Sequence, residues 1–206
     1  MKRMLTERRT LYEGNTMISF DELHQRAEEW VTQHYSRANH LVETENWLLR
    51  LQADASPALR LAALTHDMER AFPGPDSPKA RSGVGVDHDY NRAHSERSAR
   101  IVGTFLREQG ADEALIEEVA NFIRAHEYGG WPEANILQAA DSLSFLEVNI
   151  SFFLQSIPKD DDGRRREDVR AKFAWMYERI QLPEARRLAA PYHAAALERL
   201  EQYIPQ

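Results

Sequence analysis

The chain of 206 residues contains no cysteine, which excludes disulfides, thiolate nucleophiles and thiolate zinc sites. Any metal must therefore be held by His, Asp or Glu. Positive charge is also short: 26 Lys and Arg stand against 33 Asp and Glu, a formal net charge of -7. That balance disfavours a nucleic-acid polymer as partner, since a phosphate backbone is met by clustered Lys and Arg in excess. A phosphate partner should be small and locally held. There is no long apolar run, and the opening MKRMLTERRTLYEGNTM carries charges throughout, so it reads neither as a signal peptide nor as a membrane span. A cytoplasmic location is the expectation. Strand-like alternation, internal repeats, low-complexity blocks and a glycine-rich phosphate loop are all missing. What remains is 42% apolar and 29% charged residues, the balance of one ordinary globular domain.

Helical spacing fills most of the sequence. Residues 1–18 read as a flexible leader and 19–206 as one helical domain, with a core over about 20–155 and C-terminal helices over about 167–204. Ser19 caps FDELHQRAEEWVTQHY, and SRANHLVETENWLLRL follows. Ser56 and Pro57 open SPALRLAALTHDMERAF, which Pro73 and Gly74 close. Residues 73–88 read as an irregular loop of a length that often serves as a lid or binding loop. Gly110 ends YNRAHSERSARIVGTFLREQG, Gly129 and Gly130 end DEALIEEVANFIRAHE, and Pro158 ends ANILQAADSLSFLEVNISFFLQSI. KDDDGRRRED reads as a solvated connection, followed by two more helices that either finish the core or form a homodimer face. The fold class is all-α.

Polar residues interrupt the apolar faces of these helices. His66 and Asp67 are adjacent in LAALTHDMERAF, the greasiest helical stretch. A buried carboxylate needs a cation, a hydrogen-bond network or water. His126 is in line with Ile116, Val119 and Ile123; Asp141 lies four residues from both Leu137 and Phe145; His94 shares a stripe with Ser98, Ile101 and Phe105; His40 shares one with Thr44, Trp47 and Leu51. Each residue taken alone fits an interior hydrogen-bonded group. Together they fit one metal centre that satisfies them all. Imidazoles and carboxylates without sulfur suit Fe, Mn, Co, Ni or Zn, with Fe and Mn favoured as the oxygen share rises.

The ordered set His40, His66–Asp67 and Asp141, the last within LQAADSLSF, resembles the H…HD…D signature of the HD-domain metal-dependent phosphohydrolase superfamily over roughly residues 20–155. The resemblance implies a helical bundle with a central metal site. His94 and His126, between the HD pair and the last aspartate, extend it to the six-ligand subset H…HD…H…H…D. By that likeness His40, His66, Asp67 and Asp141 hold one ion, and Asp67, His94 and His126 a second; a single ion is the alternative, with His94 and His126 turned to substrate or water. The second HD dipeptide, His88–Asp89, lies in the glycine-rich loop and reads as a decoy. His24, His34 and His193 read as surface or packing residues.

The implied reaction is hydrolysis of a phosphate ester or anhydride of a small molecule, with nucleotides foremost, by a metal-activated hydroxide; Mg is a further possible ion. Asp67 and Arg70 are the expected catalytic residues. Arg70, three after Asp67, stands where some relatives carry a phosphate-contacting Lys. Lys79, Arg81, Arg92 and Arg97 flank the loop as a candidate cationic mouth, and Glu69 is a candidate general acid. Two other readings share the ligand set: a di-iron oxygenase acting on a small polyol or phosphonate, and a metal-holding sensing module without turnover.

Overall fold

The computed structural model describes residues 18–81 and 86–205. Of the expected leader only Ile18 is among them, and residues 82–85 of the expected loop lie outside them. The described residues are all-helical, without strands, and pack as one domain. The elements are α1 (Phe20–His34), α2 (Ala38–Leu51), α3 (Pro57–Thr65), a 3₁₀ turn (Met68–Ala71), α4 (His88–Glu108), α5 (Glu113–Ala125), α6 (Pro132–Ser144), a π-helical segment (Phe145–Asn149), α7 (Ile150–Gln155), α8 (Arg164–Glu178) and α9 (Pro183–Gln202).

Local chemistry sets most boundaries. Ser19 and Ser56 accept from the amides of Glu22 and Leu59, and Pro57 occupies the first turn of α3, where its missing N–H costs nothing. Asp112 caps α5 through the Ala114 amide. Gly110, at φ +82°, turns the chain out of α4 in a conformation other residues rarely adopt. Asp87 caps α4 through the Tyr90 amide, so this helix starts at His88, two residues before the expected Tyr90. The charged run likewise yields to helix: α8 begins at Arg164, with the Arg165 and Arg166 amides donating to Asp161.

The largest departure concerns the HD pair. The expected helix through His66 and Asp67 ends at Thr65, and the pair forms the turn between α3 and the 3₁₀ segment. Side chains compete for the carbonyls of the last turn: Thr65 Oγ1 donates to Leu61 O (2.6 Å) and His66 Nδ1 sits 3.0 Å from Ala63 O. Asp67 then takes φ -99°, ψ 8°, outside the helical region. The expected single helix from Ala134 to Ile157 is divided as well, by the π-helical segment that follows Ser144, a feature frequent near functional sites.

Helices α2 and α6, α4 and α5, and α3 and α5 form the principal packed pairs, with α1 laid over α3. Trp30 of α1 stacks on Phe105 of α4 at 4.1 Å between ring centroids. On the other side α8, α9 and the connection between them bury Val169, Phe173, Met176, Ile180, Ala185, Ala189, Ala196 and Leu200, so the C-terminal helices complete the core of this chain. No helix among the described residues is long and apolar enough to cross a membrane.

Candidate metal centre

His40, His66, Asp67, His94, His126 and Asp141 come from α2, the α3 turn, α4, the end of α5 and α6, and meet at the middle of the bundle. None is more than 4% exposed. Their donor atoms form three overlapping triads, each within 4.8 Å: His40, His66 and Asp67; His66, His126 and Asp141; and Asp67, His94 and His126.

A set of anchors turns one nitrogen of each histidine inward. Ser144 Oγ donates to His40 O at 2.7 Å, so its lone pairs accept from His40 Nδ1 at 2.8 Å. His66 Nδ1 meets Ala63 O at 3.0 Å and His126 Nδ1 meets Ile123 O at 2.7 Å. A carbonyl can only accept, so each Nδ1 carries the proton and Nε2 keeps a lone pair. His94 Nδ1 lies 3.0 Å from Glu69 Oε2. The two aspartates are oriented the same way: Arg70 and Tyr35 donate to Asp67 Oδ2, the hydroxyl at 3.3 Å, while Arg179 donates to Asp141 Oδ2. The opposite oxygens face the histidines.

The inward atoms are spaced as ligands of common ions. Asp141 Oδ1 is 3.2 Å from His40 Nε2 and 3.5 Å from His66 Nε2; Asp67 Oδ1 is 2.9 Å from His94 Nε2 and 4.0 Å from His66 Nε2. Two atoms each about 2.1 Å from one ion are about 3 to 3.4 Å apart at right or tetrahedral angles. The chemistry also leaves a deficit that an ion would fill. His66 Nε2 is buried and has no hydrogen-bond partner, a state natural interiors rarely leave uncompensated. The residues present therefore fit a divalent ion. The carboxyl-terminal ends of α3 and α5, where His66 and His126 sit as caps, add the negative pole of two helix dipoles.

Burial and charge pull these groups apart in proton affinity. Burial, reinforced by His66, drives His126 down to about 3, and burial lowers His40 as well. His66 is raised, because Asp141 and Asp67 outweigh its burial. Burial alone would raise Asp67 and Asp141, but Arg70 with His94, and Arg179 with His66, hold both well below the usual carboxylate range.

A pocket of about 30 Å³ lies against His40, Asp67 and Asp141, walled by Arg37, Arg70, Lys172 and Phe153. Those four walls also line an adjoining cleft of about 370 Å³, which adds Arg81, Asp87, Tyr90, Asn91, Phe152, Arg165 and Asp168. The expected cationic mouth is thus redistributed. Arg70 and Arg81 reach the cleft, Arg81 paired with Asp87 at 2.8 Å. Lys79 and Arg92 are exposed and absent from its lining, Arg92 pairing with Asp89 at 2.9 Å. Arg97 is buried and bound to Glu69 and to the carbonyls of Glu69 and Phe72, a clamp on the turn after the HD pair. Glu69, the expected acid, is buried between His94 and Arg97 and positions His94.

The remaining histidines stay outside the cluster. His88 is exposed at the first residue of α4, 3.1 Å from the Tyr128 hydroxyl; His24 pairs with Glu45; His34 rests on Trp30; His193 stacks on Tyr177 at 4.5 Å. Sequence reasoning missed Ser144, Glu127, Arg179, Arg37, Arg165 and Lys172. Arg179 carried a signal, since it follows buried Met176 by three residues and precedes buried Ile180, placing a guanidinium on an apolar face.

A family model described as a domain of unknown function, DUF4202, matches residues 15–193, which takes in every donor of the cluster. The chain belongs to the DUF4202 family. No curated protein and no solved structure matches it. Within this DUF4202 chain the matched stretch ends inside α9, beyond Arg165, Lys172 and Arg179.

Proposed function

We propose that this DUF4202 protein is an HD-type metal-dependent phosphohydrolase that cleaves a phosphate ester or anhydride of a small molecule. The observation that supports the reading is the juxtaposition of six converging N and O donors with a small pocket walled by Arg37, Arg70 and Lys172. His40, His66, Asp67 and Asp141 would hold one ion and Asp67, His94 and His126 a second, with Fe or Mn suiting the mixed donor set. When bound, such ions lower the pKa of water from roughly 16 to about 7 and so supply hydroxide at neutral pH.

The chain's own residues provide the rest. Arg37, Arg70 and Lys172 neutralise phosphoryl oxygens, Arg70 with a planar fork that suits bidentate contact. Phe145, Phe153 and Met176, in the same wall, exclude bulk water and strengthen those contacts. Since Arg70 and Tyr35 hold Asp67 Oδ2, Oδ1 is the atom Asp67 has left to share.

The test is metal analysis of the purified protein by mass spectrometry, combined with phosphate release from nucleotides, sugar phosphates and an aryl phosphate in the presence of Mn, Co, Ni, Fe or Mg. The expected result is metal-dependent phosphate release that Asp67→Ala abolishes. Less than one bound metal per chain, or an Asp67→Ala protein with full metal and activity, would refute the site. Oxygen uptake with a reductant and no phosphate release would assign oxygenase chemistry instead.

A further inference from the structure

The cations around the centre fall into two groups. Arg37, Arg70 and Lys172 line both the inner pocket and the outer cleft, whereas Arg165 and Arg81 line the outer cleft alone. The inner three share a space of about 30 Å³ with Asp67, Glu127 and Asp141, where they are placed to meet one phosphoryl group. The outer pair would then face solvent across a further 370 Å³ with no ligand charge to meet.

Arg165 is the informative member. Its Nε and Nη2 are held by Ser156 Oγ at 3.1 and 2.6 Å, so the guanidinium is fixed by a neutral hydroxyl. Neither of those side-chain contacts carries negative charge. Arg81, by contrast, is already matched by Asp87. Arg37 is similarly held by rings, 4.5 Å over Phe152 and 5.4 Å over Tyr35. Half-burying a cation costs solvation that a bound anion would return. Nearby, the Asn91 side-chain nitrogen is buried without a hydrogen-bond partner in the wall of the same cleft, a spare donor for an oxygen-rich ligand.

We propose that the substrate carries two separate anionic groups: its scissile phosphoryl group sits in the inner pocket, and a second anionic group, carboxylate or phosphate, is fixed in the outer cleft by Arg165. The inference rests on the phosphohydrolase reading for the first group only. Arg165 is a specificity residue here, selecting by charge at the end of the substrate remote from the reacting bond.

The test uses the Mn-loaded full chain and two probes with one three-carbon skeleton, glycerol 3-phosphate and 3-phosphoglycerate, the latter adding a carboxylate. Initial-rate kinetics give kcat/KM for each, and calorimetry gives the affinity of each. The expected result is at least a tenfold preference for 3-phosphoglycerate, a ratio that falls towards one in Arg165→Gln and is partly kept in Arg165→Lys. A wild-type ratio within twofold, or one that Arg165→Gln leaves unchanged, overturns the inference while leaving the hydrolase standing. If neither probe releases phosphate, the hydrolase reading fails for them and calorimetry decides. Tighter binding of 3-phosphoglycerate that Arg165→Gln removes then sustains the second anion site; equal binding, or none, overturns it.

Discussion

Arg179, at the end of α8, donates to Asp141 Oδ2 and to Glu127 Oε2 while its Nε reaches Ser142 Oγ at 2.9 Å. One buried guanidinium thus answers two buried carboxylates and sets which face of Asp141 looks at His40 and His66. Removing one partner of such a pair strands the other charge, at a cost of about 3 to 5 kcal/mol. Arg179→Gln is expected to lose stability of that order in urea melts of the chelated protein and to bind Mn at least tenfold more weakly. Arg179→Lys should recover part of both, since it restores charge without the fork.

Ser144→Ala tests the orientation of a ligand without touching the ligand. The variant leaves His40 Nδ1–H without its acceptor. Loss of such an outer hydrogen bond typically weakens metal binding about 10- to 100-fold, with about 1 to 3 kcal/mol lost for the stranded donor. Metal titration of wild type against Ser144→Ala would expose the effect; equal affinities would remove Ser144 from the site.

Metal should stabilise the fold measurably. An ion that binds only the folded state adds RT ln(1 + [L]/Kd), about 4 kcal/mol at a thousandfold excess over Kd. Thermal melts with Mn or Fe(II) should therefore rise with metal concentration. Asp67→Asn and His66→Gln melts should be flat under the same titration.

Acid should unfold the chelated protein early. His126 falls from 6.5 unfolded to about 3 folded, through burial and then His66. Between those values the unfolded state binds a proton that the folded state refuses, so stability drops as pH falls, by up to about 1.4 kcal/mol per unit. Asp67 and Asp141, lowered in the folded state, extend the loss below the ordinary carboxylate range. His66 is raised and works oppositely: its contribution is full below 6.5 and is lost as pH rises through its folded value. Urea midpoints against pH should slope steeply between about 6 and 4, and His126→Gln should flatten that slope.

The basic residues left outside the cleft offer a control. Lys79→Ala and Arg92→Ala remove exposed charges, and Arg92 pairs only at the surface, where such pairs contribute about 0 to 1 kcal/mol. Stability within about 0.5 kcal/mol of wild type and KM for any accepted substrate within about twofold are expected. A large KM increase would return them to the substrate path.

Helices, two caps and the six converging His and Asp residues were legible because each rests on local pattern: Ser19 and Ser56–Pro57 before apolar stripes, His126 and Asp141 on them. The turn at His66 was not, because LAALTHDMERAF has helical periodicity throughout, and only the side-chain bonds of Thr65 and His66 to the preceding carbonyls decide against it. The substrate side was least legible. Arg165 and Lys172 lie seven apart on one face of α8, yet nothing in KDDDGRRRED separates a cleft-lining arginine from a solvated one until α8 is docked against α9 and the π-helical segment. Proximity in sequence favoured Lys79, Arg92 and Arg97, whereas the cleft takes its cations from opposite ends of the chain.

His66 and His126 end α3 and α5 with nearly the same backbone, φ -56° and ψ -29° against φ -57° and ψ -30°, each with Nδ1 on the carbonyl three residues earlier. Aim and tautomer are therefore settled within each helix's own last turn. Assembling the centre then resembles joining two finished half-sockets: once α3 and α5 dock, two of the imidazoles already face one another, ring centroids 4.8 Å apart. Substitutions elsewhere in the bundle can loosen that docking without spoiling either half.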